Sequence, residues 1–300
     1  MKSRNRILAL VLCCAMVFCL MPCTQASAAI TQNEYGEYVV DTWAELKELA
    51  FHTYEKETHI LFYSSIPESI VIDADFTIPE NLVVFAEPIS FVIPEGVTLT
   101  ICKNAGFRGT IPELKGSIKN SGYVLIQLQD ADTDIDLSRI DCSEGGRIQL
   151  WYPPLPNLQA YKNLLATAEA NPQIYYGLSF HSDFSFVISE DLTIPRNVSI
   201  SESWASGELI INEGCTLTNR SLLETDNIIR INGTLANEGE IHFYNWKRAA
   251  KIILGEKGRY IGRGGLFLIN FESAEDAFEG IDLTQYQVER VENWYSSEPT

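Results

Sequence analysis

The sequence predicts a mainly β chain built from two tandem parallel β-solenoid units, each preceded by a short capping α-helix. Three observations carry that expectation: an internal duplication in ordered blocks, short β-branched runs bounded by Gly, Asn and Pro, and a spacing between runs that suits a coil.

The duplication comes first. Asp75-Phe-Thr-Ile-Pro79 returns as Asp191-Leu-Thr-Ile-Pro195 at an offset of 116. Ile93-Pro-Glu-Gly-Val-Thr-Leu-Thr100 returns as Ile211-Asn-Glu-Gly-Cys-Thr-Leu-Thr218 at 118, and Gly116–Gly122 as Gly233–Gly239 at 117. Trp151-Tyr152 returns as Trp294-Tyr295 at 143, so the second copy holds about 26 more residues, one additional coil.

The runs come next: His59–Tyr63, Ile70–Ile72, Leu82–Phe85, Val97–Ile101 and Tyr123–Leu128 in the first copy. The second copy has Phe184–Ile188, Leu209–Ile211, Ile228–Ile231, Ile241–Tyr244, Ile252–Leu254 and Leu266–Phe271. Ile-Pro-Glu recurs at 78, 93 and 111, and Leu217, Leu235 and Ile253 are spaced by 18. That period exceeds a hairpin and fits one solenoid turn, with Gly and Asn at corners needing positive φ. Stacked coils share an apolar column and cover one another's edges.

A helix leads each copy. Thr42-Trp-Ala-Glu45 is a capping box, followed by Trp43, Leu46 and Ala50 on one face. In the second copy Asn157 caps a stripe of Leu158, Tyr161, Leu165 and Ala168. The expected units are residues 30–152 and 157–295, joined by the stiff Pro153-Pro154-Leu155-Pro156 and ending in a 296–300 tail. Trp151 and Trp294 are expected to close the solenoid ends.

Residues 1–29 read as a secretory signal peptide. Lys2, Arg4 and Arg6 precede an apolar Ile7–Met21 and a small-residue run Ala26-Ser27-Ala28-Ala29. The expectation is a secreted protein with no membrane segment after cleavage. Formal charge is −18; removing the three leader bases leaves 19 bases against 40 acids, or −21. Such a balance excludes nucleic acid as a partner. Of seven Cys, Cys102, Cys142 and Cys215 outlast the leader. Three is not a disulfide framework: either Cys102 pairs with Cys142, or all three pack as small hydrophobes.

Val92–Ile101 and Ile231–Ile241 resemble coils of secreted bacterial right-handed parallel β-helix proteins, the pectin-lyase-like architecture, and Thr42–Leu49 resembles their N-terminal capping helix. The resemblance implies right-handed winding and a surface protein. Because this architecture serves enzymes, adhesins and inert modules alike, it does not give the function. Its galacturonidases carry Asp-Asp, Gly-His-Gly and Arg-Ile-Lys, which this sequence lacks, and the Arg-based context of its lyases is also missing.

The expectation is therefore a non-catalytic interaction or structural module binding glycans or an extracellular protein through a solenoid flank. The alternative is a polysaccharide-acting lyase or glycosidase of the same architecture. Trp204, Trp246, Tyr175 and Tyr176 stand among polar residues or at run ends and are the candidate sugar-stacking rings. Asp130, Asp132, Asp134 and Asp136 have the alternation of a Ca²⁺-binding loop, with Ile135 where such a loop wants Gly; an acidic strand face gives the same pattern. Ca²⁺ is the one cofactor this suggests.

Overall fold

The structure, a computed structural model, describes residues 30–62, 69–130, 135–179, 185–201, 207–245, 250–273, 275–280 and 290–292. Its strands are mainly parallel. One 14-stranded sheet runs through both sequence copies, and strand follows strand along it in chain order. In the second copy each turn leaves this long sheet, contributes a strand to a second sheet and one to a third, then returns. Val198–Ser201, Glu208–Ile211 and Thr216–Asn219 form one such turn; Leu222–Thr225, Ile228–Ile231 and Thr234–Asn237 form the next. Every one of these strands pairs in parallel with its counterpart one turn away.

The first copy winds likewise with a different corner. There Leu82–Ile93 and Gly106–Leu114 are long strands that serve two sheet positions each, with a register shift between Ala86 and Ser90. The third position is filled by Phe76–Ile78, Thr98–Ile101, Ser117–Asn120 and Ile140–Asp141.

Alternation along the strands sends every second side chain inward. Stacking then aligns like with like: Val84, Phe107, Val124, Ile148 and Ile174 are register neighbours on the long sheet, as are Ile200, Leu223, Ile241 and Leu266. All nine are buried. Each such side chain contributes roughly 1.5–3 kcal/mol on burial, and no single residue holds the column.

Two of the spacing readings mark different things from those expected. Leu217 and Leu235 are stacked neighbours, but the next in that column is Tyr260, not Ile253, which lies in the second sheet opposite Arg230. Leu235 and Tyr260 are 25 residues apart, against 18 between Leu217 and Leu235. Ile78, Ile93 and Ile111 do not form a column either: Ile78 pairs with Ile101 and Ile93 with Leu114. Ile-Pro-Glu begins at a strand end at Ile78 and Ile93 but lies inside a strand at Ile111, so it marks no coil period.

Asn and Gly divide the corner work in an unexpected way. Asn81 and Asn104 do take positive φ, as do Gly96 and Gly214 in the matched Glu-Gly turns. Asn120, Asn219 and Asn237 do not; they are buried for their amides. Asn219 Nδ2 donates to Asn237 Oδ1 at 3.0 Å, and Asn237 Nδ2 donates to Tyr260 Oη at 3.2 Å and the Gly265 carbonyl at 3.0 Å. Asn120 does the same for the Arg147 carbonyl at 2.9 Å. At Gly116 and Gly233 the constraint is space, since a Cβ would fall 2.2 Å from the Val97 and Asn212 carbonyl oxygens respectively.

Helix α1 is Trp43–Ala50 and helix α2 is Leu158–Ala170. Both caps form as read: Thr42 accepts from the Glu45 amide while Glu45 accepts from Thr42, and Asn157 accepts from the Ala160 amide. Leu46 and Leu49 of α1, and Tyr161, Leu165 and Ala168 of α2, are buried. The strands flanking each helix are adjacent in the long sheet, Tyr38–Val40 beside Thr58–Phe62 and Arg147–Tyr152 beside Ile174–Ser179. Each helix thus takes the place of the second and third strands of one turn. Trp151 accordingly stands inside the sheet between Gln127 and Gly177, not at an end, and its ring overlies Gly177, where a Cβ would sit 2.3 Å from Trp151 Cε3. Trp294 lies outside the described residues.

Candidate functional site

The outward side chains of the long sheet differ sharply from the inward ones. In the first copy they bring Val83 and Phe85, Gly106 and Arg108, Tyr123 and Leu125, and Arg147 and Gln149 side by side on successive strands. Gly106 leaves a gap in this row, and over it lies a groove of about 840 Å³. Val83 and Gly106 form its floor; Phe85 and His59 stand on one flank and Tyr123 on the other.

Neighbours fix these groups. The His59 ring meets the Phe85 ring edge-on at 5.2 Å between centroids, and its nitrogens lie 3.4 Å from Glu37 and 2.9 Å from Glu57. Tyr123 is 37% exposed and donates its hydroxyl to Gln149 Oε1 at 2.6 Å. Burial pushes the Tyr123 phenol up from its ordinary pKa, while the Arg108 charge pulls it down. Ser121 donates to Glu144 at 2.7 Å on the rim. The groove therefore offers a half-exposed pair of rings, fixed polar groups and the cations Lys103, Arg108 and Arg147. That combination suits a polar ligand with apolar faces, such as a sugar.

Of the rings named from sequence, Tyr175 is half-buried on the outward side, opposite Gln149. Tyr176 is 1% exposed and points into the core, where it stacks on Tyr152. Consecutive strand residues face opposite ways, so the two tyrosines cannot share a ligand, and Tyr176 leaves the candidate set. Trp204 and Trp246 lie outside the described residues.

The acidic run is divided. Asp132 and Asp134 lie outside the described residues, and Asp130 is exposed. Asp136 caps the short 3₁₀ turn Leu137–Arg139, accepting from the Ser138 amide at 3.1 Å, Ser138 Oγ at 2.6 Å and Arg139 Nε at 3.1 Å. The Ser138 hydrogen bond, chiefly, holds its carboxyl below the usual range. Among the described residues no group of three or more His, Cys, Asp or Glu side chains is placed to hold a metal ion. Cys102, Cys142 and Cys215 are free thiols, each partly buried; burial raises the pKa of Cys102 and Cys142.

Sequence reading missed Phe85, Arg108, Tyr123 and Arg147. Their signal was present in Gly106-Phe-Arg-Gly109, where a cation alternates with inward positions, but nothing local says which strand lies alongside. No family model matches this chain, and neither a curated protein nor a solved structure matches it.

Proposed function

We propose that this chain is a secreted, non-catalytic recognition module that binds glycan on the outward face of its long sheet. The observation that carries the reading is the groove over Gly106 with Phe85 and Tyr123 at its flanks. Sugar rings present C–H faces that stack on such aromatics, while hydroxyls take hydrogen bonds from fixed polar groups. The two carboxylates that line it, Glu57 and Glu144, are already held by His59 and Ser121, which supports binding over acid–base work. Right-handed winding of the coils belongs to the same proposal, since strand–crossover–parallel-strand links take that hand almost without exception. So do export through residues 1–29 and the division at Pro153–Pro156 into two copies led by α1 and α2. Among the described residues no helix is long and apolar enough to cross a membrane.

The test is a glycan array probed with the purified protein, followed by titration of its best ligand. Phe85→Ala and Tyr123→Ala are each expected to weaken binding about tenfold, the loss of one central aromatic contact. Absence of any glycan signal, or binding indifferent to both variants, would overturn the reading.

A further inference from the structure

Resting on the glycan reading, the groove over Gly106 admits a sharper statement about its ligand. The chain carries a formal charge of −18. Yet Lys103, Arg108 and Arg147 all line this one groove. Neither Lys103 nor Arg147 forms an ion pair among the described residues. The groove's two acids are the ones engaged by His59 and Ser121.

The second sequence copy is an internal control for what the coil itself demands. Matched by register, the inward residues stay apolar: Val84 corresponds to Ile200, Phe107 to Leu223 and Val124 to Ile241. The outward ones do not keep their chemistry. Phe85 corresponds to Ser201, Gly106 to Leu222, Arg108 to Glu224 and Tyr123 to Glu240. The gap is filled, both rings are gone, and a cation has become an anion. Stacking of turns therefore does not require the groove's composition.

We infer that the groove over Gly106 binds an otherwise neutral glycan capped by a single acidic sugar, whose oxyanion is held by Arg108, Lys103 and Arg147 while the sugar faces lie against Phe85 and Tyr123. A guanidinium matches a carboxylate or sulfate with two parallel N–H donors. A long polyanion is disfavoured, because beyond the groove it would run over a surface of the same sign.

The experiment uses an array of matched sets: each neutral glycan beside its sialylated, sulfated and glucuronylated forms, with heparin and polygalacturonate as polyanions. Signal is expected only on the acid-capped short glycans. Titration of the best one should weaken about tenfold in Arg108→Gln, and also on moving from low salt to about 0.5 M, where screening shortens to a few ångströms. Arg230→Gln removes the same charge from the second sheet, where Arg230 pairs with Glu208 at 3.0 Å, and should leave affinity unchanged. Equal binding of neutral and capped forms, or strongest binding of a polyanion, overturns this inference but leaves the glycan reading standing. Equal loss in Arg108→Gln and Arg230→Gln also overturns it. Silence across the array removes both.

Discussion

Asn237 displays, at the scale of one residue, why polar groups sit inside this core. Its amide links three turns: it accepts from Asn219 and donates to Tyr260 and the Gly265 carbonyl. Asn237→Ala strands those partners without water, and should lower stability by about 2–3 kcal/mol in chemical denaturation. Tyr176 is the converse. Its buried hydroxyl has no hydrogen-bond partner among the described residues, so Tyr176→Phe should raise stability by about 1 kcal/mol while leaving glycan binding intact. Tyr54 and Tyr244 bear on stability at alkaline pH. Burial first, with Tyr38 near one and Glu224 near the other, raises both phenols to about 12. Unfolded tyrosine ionises near pH 10. Between about pH 10 and 12 the unfolded chain therefore binds fewer protons, and unfolding free energy should fall with rising pH. Denaturation midpoints across that window should show the fall, with a shallower slope in Tyr244→Phe.

At the scale of elements, each helix opens on a side-chain cap, Thr42 or Asn157. Matched asparagines from the following turn then tie down the chain, Asn197 at the end of α2 and Asn81 in the segment after α1. Asn197 Nδ2 reaches the carbonyls of Ala168, Asn171 and Ile174 at 2.9, 3.2 and 2.8 Å, and Asn81 Nδ2 reaches that of Tyr54 at 2.8 Å. The matched Asp75 and Asp191 also act alike, accepting from the Thr98 and Thr216 amides one turn on, at 2.8 and 2.7 Å. Thr42→Ala should cost about 1 kcal/mol. Asn197→Ala should cost more, about 2–3 kcal/mol, because three part-buried carbonyls lose their shared donor. Thermal melts of the two variants would rank them. The caps were legible because a capping box is a local signal. Asn81 and Asn197 stood in the sequence two residues past the matched Ile-Pro pairs, yet their partners lie more than 20 residues away.

For the whole molecule, the decisive pairing is Arg147–Tyr152 beside Ile174–Ser179, which carries the long sheet across the join between copies. Nearest-neighbour coupling then links all turns. Leu223→Ala in the second copy should cost about 2–5 kcal/mol and lower the melting temperature reported by first-copy probes as well. Two transitions that move independently would contradict this coupling.

By itself the sequence determined the parallel coiled character, the duplication, and the two helices with their caps. These follow from interactions within a few residues or from periodicity. Only the tertiary structure decided that the copies share one sheet, that Tyr176 is core while Tyr175 is surface, and that Val83, Phe85, Gly106, Arg108 and Tyr123 meet around one groove. Register between turns sets such neighbours, and register is fixed by packing over the whole stack, because slipping a strand by one residue would turn its entire buried set to water.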